Sequence, residues 1–320
     1  MPKAPFDLRG KRVFVAGHRG MVGSALVRRL AGEQCEVLTA DRSQLDLRDQ
    51  ADVRAWFAEQ PPAAVFLAAA KVGGILANDS YPADFLLDNL QIATNVIEAA
   101  YQYRTAKLLF LGSSCIYPRD AVQPIGEDAL LTGALEPTNA WYALAKIAGI
   151  KLCAAYRRQH GCDFISAMPT NLYGPHDNFD FATSHVLPAL IRKAHEAKLR
   201  SADAITIWGT GMPRREFLHV DDLADACVFL MKRYSGEEHV NVGSGSDIAI
   251  AELAHLVCRI VGFAGAIRHD LDKPDGTPRK LMCGAKLASL GWRPRIGLEA
   301  GIAAAYRAYL DSLAGEARAA

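Results

Sequence analysis

Three glycines at three-residue spacing, Gly17, Gly20 and Gly23, directly follow the apolar run RVFVA and open a helical pattern. A strand that turns this tightly into a helix commits the chain to a strand–helix unit with a phosphate-sized gap at the turn. The first glycine permits the turn, the second lets the backbone approach a pyrophosphate, and the third lets the helix pack closely on the strand. Met21 and Val22 lie in the first helical turn, where the positive end of the helix meets a diphosphate. Such a triplet can also be read as plain turn glycines, so its context carries the argument.

Apolar runs occur at 12–17, 35–40, 63–69, 107–114 and 162–169, with helical stretches at 21–31, 50–59, 83–104 and 138–159 between them. Strand–helix alternation predicts an α/β fold with a doubly wound parallel Rossmann sheet. Runs that are apolar on both faces fit strands buried between two helical layers. The second half is less regular. A helical stretch at 185–198 precedes ITIWG and a Gly/Pro/Arg turn at 209–215. A strand at 215–220, a helix at 221–233 with Asp221 as N-cap, and a strand at 239–245 follow. Two further helical stretches flank the charged loop 273–280. This pattern predicts a smaller C-terminal α/β substrate domain. Residues 1–170, with about 214–245, would hold the dinucleotide, and residues 171–213 and 246–320 the substrate.

The 320 residues carry a net charge of +1, which leaves no electrostatic footprint for nucleic acid or an anionic membrane. No apolar run reaches the roughly 18–20 residues of a membrane span. The N-terminal stretch MPKAPFDLRGKR lacks the apolar segment of a secretory signal. Seven cysteines without a CxxC pair read as reduced thiols in a cytoplasm, with neither a disulfide frame nor a metal site.

Tyr142 and Lys146, in YALAK, stand four residues apart and share one helix face. A free phenol has a pKa of about 10, and a nearby ammonium is expected to lower it. Tyr142 could then hand a proton to a carbonyl oxygen as hydride reaches the carbon. Ser113 ends the fourth apolar run, at the sheet edge where ligands bind, and could orient the same carbonyl.

The residues after the second run disagree about the nicotinamide cofactor. Asp41 would hold a ribose hydroxyl and repel a 2′-phosphate. Arg42 and Arg19 would bind that phosphate through charge-assisted bonds. Two guanidiniums against one carboxylate favour NADP(H). Asp46 is placed to accept from the adenine amino group.

The segments GHRGMVGSA, AAAKVGGI, FLGSSCIYP, EPTN-x-x-YA-x-AK, MPTNLYGPHDNF, REFLHVDD and KPDGTPRK together resemble the GDP-L-fucose synthase family of extended short-chain dehydrogenases. The likeness runs from about residue 11 to about 310. It implies a bifunctional 3,5-epimerase/4-reductase that uses NADPH on GDP-4-keto-6-deoxy-D-mannose. By the same resemblance, Cys115 is the base and His185 the acid of the epimerisation. Arg215, Lys280, Lys193, Asn171, Trp208 and Asp275 would contact the substrate, although the family often has arginine where Lys193 stands. Ala69, Pro169, Asn171, Leu172, Lys146 and His185 would border the cofactor, with Lys71, Val72 and Gly73 contributing backbone. Asn89 could brace the Ser113 loop. The resemblance also implies a homodimer paired through 83–104 and 138–159. Two other readings stay open at this point: a nucleotide-sugar 4-epimerase or simple 4-ketoreductase, and a non-catalytic dinucleotide sensor.

Overall fold

A computed structural model describes residues 5–181, 183–273 and 275–319. The chain opens with β1 (Arg12–Ala16), α1 (Met21–Leu30), β2 (Glu36–Leu38), α2 (Gln50–Glu59) and β3 (Ala64–Leu67). It continues through α3 (Ile75–Ser80), α4 (Pro82–Gln102), β4 (Lys107–Leu111), α5 (Ala140–His160) and β5 (Asp163–Pro169). These strands and the later β9 (Val240–Val242) form one parallel sheet in the order β2-β1-β3-β4-β5-β9. Strands β3, β4 and β5 are buried throughout. The reason is visible in β1: Val13 and Val15 face one helical layer while Phe14 and Ala16 face the other, as strand alternation requires.

The remaining elements are β6 (Asn171–Tyr173), α6 (Val186–Leu199), β7 (Ala204–Trp208), β8 (Arg214–His219), α7 (Val220–Arg233) and β9 (Val240–Val242). After these come β10 (Asp247–Ala249), α8 (Ile250–Val261), β11 (Ala266–Asp270), β12 (Arg279–Lys280), α9 (Ala285–Ser289) and α10 (Leu298–Ala319). Leu26 and Leu30 of α1 pack with Leu223 and Met231 of α7 on one face of the large sheet. On the other face, Phe57 of α2 joins Val96 and Ile97 of α4 and Ile147 and Ile150 of α5. A third core, including Tyr173, Ile191, Val257 and Ile302, lies beneath the C-terminal segments.

Of the segment 214–245, α7 and β9 belong to the large sheet and its layers. Strand β8 instead pairs with β6, β10 and β12 in a second sheet, and β7 pairs with β11. Asp221 is not the cap of α7. His219 is, with its Nδ1 accepting the Asp221 N–H at 3.2 Å. Asp221 sits in the first turn, where its charge suits the helix dipole, and pairs with Arg28. Among the described residues no helix is long and apolar enough to cross a membrane. Pro274, inside the charged loop 273–280, lies outside the described residues.

Candidate active site

The carboxyl ends of β1, β3, β4 and β5 open onto one edge of the sheet, where ligands of such sheets bind. At β1, Gly17 has φ +88°, and a Cβ there would sit 2.8 Å from Ala69 Cα. A Cβ on Gly23 would lie 2.0 Å from the Gly17 carbonyl oxygen. Both positions therefore exclude any side chain. Gly20 caps α1 without a side-chain acceptor. The amides of that first turn, which carries Met21 and Val22, thus remain available to an anion. Pro169 and Leu172 lie at the corresponding ends of β5 and in β6.

Asp41 and Arg42, which argue oppositely in sequence, differ in how far each is already engaged. Asp41 Oδ1 accepts from the Ser43 N–H at 2.9 Å and the Ser43 hydroxyl at 2.6 Å. Its other oxygen pairs with Arg19 at 3.0 Å. The Ser43 hydroxyl, above all, holds this carboxyl below its ordinary pKa. Asp41 is thus a turn-former with its charge offset. Arg42 is 72% exposed and only loosely paired, 3.8 Å from Asp46. An exposed, loosely paired guanidinium beside a charge-paired acid fits a 2′-phosphate. Asp46 is bound by both Arg48 Nη2, at 2.6 Å, and the Arg48 N–H. That engagement holds its pKa at about 2 and occupies much of its capacity to accept from an adenine.

The chemical end is built from β4 and α5. Beyond Leu111, Ser113 is extended and caps a short 3-10 turn, Ser114–Ile116, accepting the Cys115 N–H at 3.4 Å. Lys146 is 4% exposed. Its Nζ donates to the Leu111 oxygen at 2.8 Å and lies 5.7 Å from the Tyr142 ring centroid. Burial lowers its pKa to about 8. Tyr142 meets Phe85 edge-on at 6.4 Å between centroids. Burial, then the neighbouring Cys115, pushes its phenol up. This corrects the expectation of a lowered phenol pKa: the ammonium is directed at a backbone oxygen, and desolvation dominates. In the direction of reduction, a raised pKa keeps the proton on the phenol until it is needed.

Cys115 is 7% exposed. Burial raises its thiol, opposed first by Lys280, then by Ser113 and Lys146. Strand β12 places Lys280 in register with Arg215 of β8. Burial lowers both cations' pKa values, and Glu136 opposes that shift in each. A thiol, a phenol and three cations are thus gathered at one sheet edge.

His185 is the N-cap of α6 without a capping hydrogen bond. The residue is exposed as a whole, yet burial around the imidazole lowers its pKa. Tyr142 and Lys280 are also partly accessible and desolvated. Accessible yet desolvated groups are what the lining of a recess would present. The loop before His185 reaches toward the Tyr142 wall through Gly74, whose N–H donates to the Thr183 oxygen at 3.0 Å. The preceding Gly73 packs near Phe85.

The outer residues are more divided. Lys193 Nζ donates to the Thr206 oxygen at 3.0 Å. Asn171 Nδ2 donates to the Glu216 backbone oxygen at 2.8 Å, so one end of its amide latches β6 to β8. Asp275 accepts from the Thr210 N–H and hydroxyl at 2.9 and 2.7 Å, shaping that turn. Trp208 is 57% exposed, with Lys273 Nζ 5.8 Å from its ring. Asn89 directs its hydrogen bonds to Lys71 and Phe85. It exchanges two 3.0 Å bonds with the Lys71 backbone. Glu136, Tyr117 and Asn241 were not singled out from the sequence, although Glu136 and Tyr117 stand in the quoted segments EPTN and CIYP.

Residues 13–243 match the NAD dependent epimerase/dehydratase family. A GDP-L-fucose synthase of Sinorhizobium fredii is 61% identical over 307 residues, covering 96% of this chain and 98% of that protein. A solved GDP-6-OMe-4-keto-L-xylo-heptose reductase from C. jejuni is 36% identical, with TM-score 0.90, covering 97% of this chain and 100% of that one. A GDP-L-fucose synthetase from Naegleria fowleri, solved bound to NADP, is 28% identical with TM-score 0.89, covering 98% of this chain and 96% of that one.

Proposed function

Because this chain belongs to the GDP-L-fucose synthases within the NAD dependent epimerase/dehydratase family, we propose that its one cleft carries out both an epimerisation and a reduction. The enzyme converts GDP-4-keto-6-deoxy-D-mannose to GDP-L-fucose by 3,5-epimerisation followed by reduction at C4. NADPH supplies the hydride for the second step. Residues 1–170 and about 214–245 would hold the dinucleotide, with strand β8 reaching into the sugar side. The remaining segments would hold the GDP-sugar.

The C4 ketone acidifies the C–H bonds at C3 and C5. Cys115, as thiolate, removes a proton, and His185 returns one from the opposite face. Burial lowers the imidazole's pKa, which makes its protonated form a stronger acid. Ser113 orients the ketone oxygen, and Tyr142 protonates that oxygen as C4 is reduced. Lys146, anchored on Leu111, holds positive charge beneath the phenol. Arg215, Lys280 and Lys193 supply cations for the diphosphate, with Trp208, Asn171 and Asp275 around the sugar nucleotide.

The observation that carries this reading is the buried thiol of Cys115 beside Tyr142 and Lys146. A plain ketone reducer has no use for a base there. Cys115→Ser, incubated with the ketosugar in D2O, is expected to lose deuterium incorporation at C3 and C5 while still binding NADPH. Full incorporation in that variant would remove Cys115 from the mechanism.

A second copy of the chain is the proposed partner. Helices α4 and α5 pack on each other, yet Leu87, Tyr101, Trp141 and Leu144 on them remain exposed. A dimer would cover them. Leu144→Glu should yield a monomer by sedimentation. Seven free cysteines favour a reducing compartment, the cytoplasm.

A further inference from the structure

Asn241 is a polar residue with no exposed surface, at the centre of strand β9. Its Oδ1 accepts the hydroxyl of Tyr117, two residues past Cys115. With its one proton given to Asn241, that hydroxyl can only accept from His239 Nε2, 2.9 Å away; burial keeps the imidazole neutral, with a pKa of about 4. Asn241 Nδ2 donates to the Ile125 oxygen at 3.0 Å and to the Cys283 oxygen at 3.4 Å. Cys283 ends the strap 279–283, which also carries Lys280. The strap is fixed again where the Leu281 N–H meets Gln123 Oε1 at 2.8 Å and the Met282 N–H meets Glu216 Oε2 at 3.0 Å. Ile125 and the strap exchange two further backbone bonds, each 2.8 Å. One amide therefore refers the loop bearing Cys115 and the strap bearing Lys280 to a common point.

We propose that Asn241 is a positioning residue for the proton-exchange half of the reaction: by locking the Lys280 strap to the Cys115 loop, it keeps a fixed ammonium facing the thiolate. The physical case is that a buried thiolate needs a nearby cation, and in a poorly solvated site the attraction changes steeply with distance. A fully satisfied buried polar network rigidifies what it joins. An apolar residue at 241 would fill the same space without coupling the two segments. The titratable and charged groups around the thiol are Lys280 from the strap and Lys146 and Tyr142 from α5. Glu136 and Arg215 lie one step further, beside Lys280. The proposal rests on Cys115 being the base, and its test is separable from that reading.

The rate at which iodoacetamide alkylates Cys115, followed by peptide mass spectrometry across pH, reads its thiolate without any substrate. Cys35, partly exposed and bonded only to the Leu30 oxygen, away from this network, serves as an internal control. Lys280→Met should move the Cys115 inflection upward by about one unit, a tenfold loss of thiolate below it. Asn241→Ala and Tyr117→Phe should move it in the same direction by about half a unit, roughly a threefold loss. Both should slow deuterium exchange at C3 and C5 more than they slow NADPH oxidation, so product reduced without epimerisation accumulates. If either variant melts earlier yet leaves the inflection at the wild-type pH, Asn241 is only a structural hub and the proposal fails. Tyr117→Phe keeps the buried ring and decides the matter if Asn241→Ala does not fold. Retention of C3 and C5 exchange by Cys115→Ser would instead overturn the base assignment, whatever the inflections do.

Discussion

The ammonium of Lys146 donates to the main-chain oxygen of Leu111 at 2.8 Å, tying the helix that carries Tyr142 to the last residue of β4. This bond explains how a nearly unexposed lysine stays beneath the phenol. It also gives the reduction an alkaline limit. Burial lowers the Lys146 pKa to about 8 from an ordinary value of 10.5. Between those values the unfolded chain binds the proton and the folded one does not. The cost of burying the charge, present below about pH 8, is therefore relieved as pH rises. Activity should run the other way. NADPH oxidation is expected to fall as pH rises through about 8, because the charge beneath the phenol is lost. Lys146→Met should lower kcat by about a hundredfold or more and abolish that limb of the profile. Persistence of the limb in the variant would assign it to another group.

Tyr142→Phe should separate the two half-reactions. In the proposed mechanism its hydroxyl supplies the proton at O4, whereas exchange at C3 and C5 is assigned to Cys115 and His185. The variant is expected to keep deuterium incorporation and to lose NADPH oxidation by about 10²–10⁴-fold. A variant that reduced the ketone at near-normal rate would show that the phenol is not the donor.

What the sequence could reveal depended on how locally each feature is encoded. Strands β3, β4 and β5 were legible because they are buried on both faces, so their runs are apolar without alternation. Tyr142 and Lys146 were legible because helical periodicity alone puts them on one face. The raised phenol pKa was not, since it comes from burial and then from Cys115, contributed by segments distant in sequence. The sheet to which 214–219 belongs was equally hidden: the sequence predicts a strand at 215–220, and its partners β6, β10 and β12 decide the rest. The Tyr117–Asn241 bond joins residues 124 apart and leaves no local pattern.

Cofactor choice can be tested at Arg42. Asp41 is engaged by Ser43 and Arg19, whereas Arg42, similarly exposed, is only loosely paired with Asp46 and is the proposed reader of the 2′-phosphate. Removing a charge-assisted bond costs about 1.5–3 kcal/mol. Arg42→Ala should therefore raise KM for NADPH by about tenfold to a hundredfold and leave KM for NADH nearly unchanged. Equal losses with both cofactors would mean that Arg42 supports the loop and does not read the phosphate.

The last prediction concerns stability, at the far end of the same sheet. Asp163 opens β5 with its side chain largely buried, between Lys107 at 3.3 Å and Arg157, which donates to the same carboxylate. Lys107 Nζ also donates to the Tyr234 oxygen, and Ser235 donates to Asp163 at 2.8 Å. The group therefore ties β4, β5 and the end of α7 together. Burial would raise the Asp163 pKa, but Lys107, Ser235 and Arg157 outweigh it and leave the carboxyl below its ordinary value. A depressed folded pKa contributes stability above the unfolded value of about 3.9, and that contribution is lost as pH falls through the folded value. Asp163→Asn leaves two cations without their buried counter-charge, which typically costs about 3–5 kcal/mol. Urea melts at pH 7 should show that loss. As pH falls through the acid range, the gap between wild type and variant should narrow, because protonation of Asp163 removes the same charge. A gap that stayed constant down to the acid limit would mean that the substitution acts through packing and not through the ion pairs.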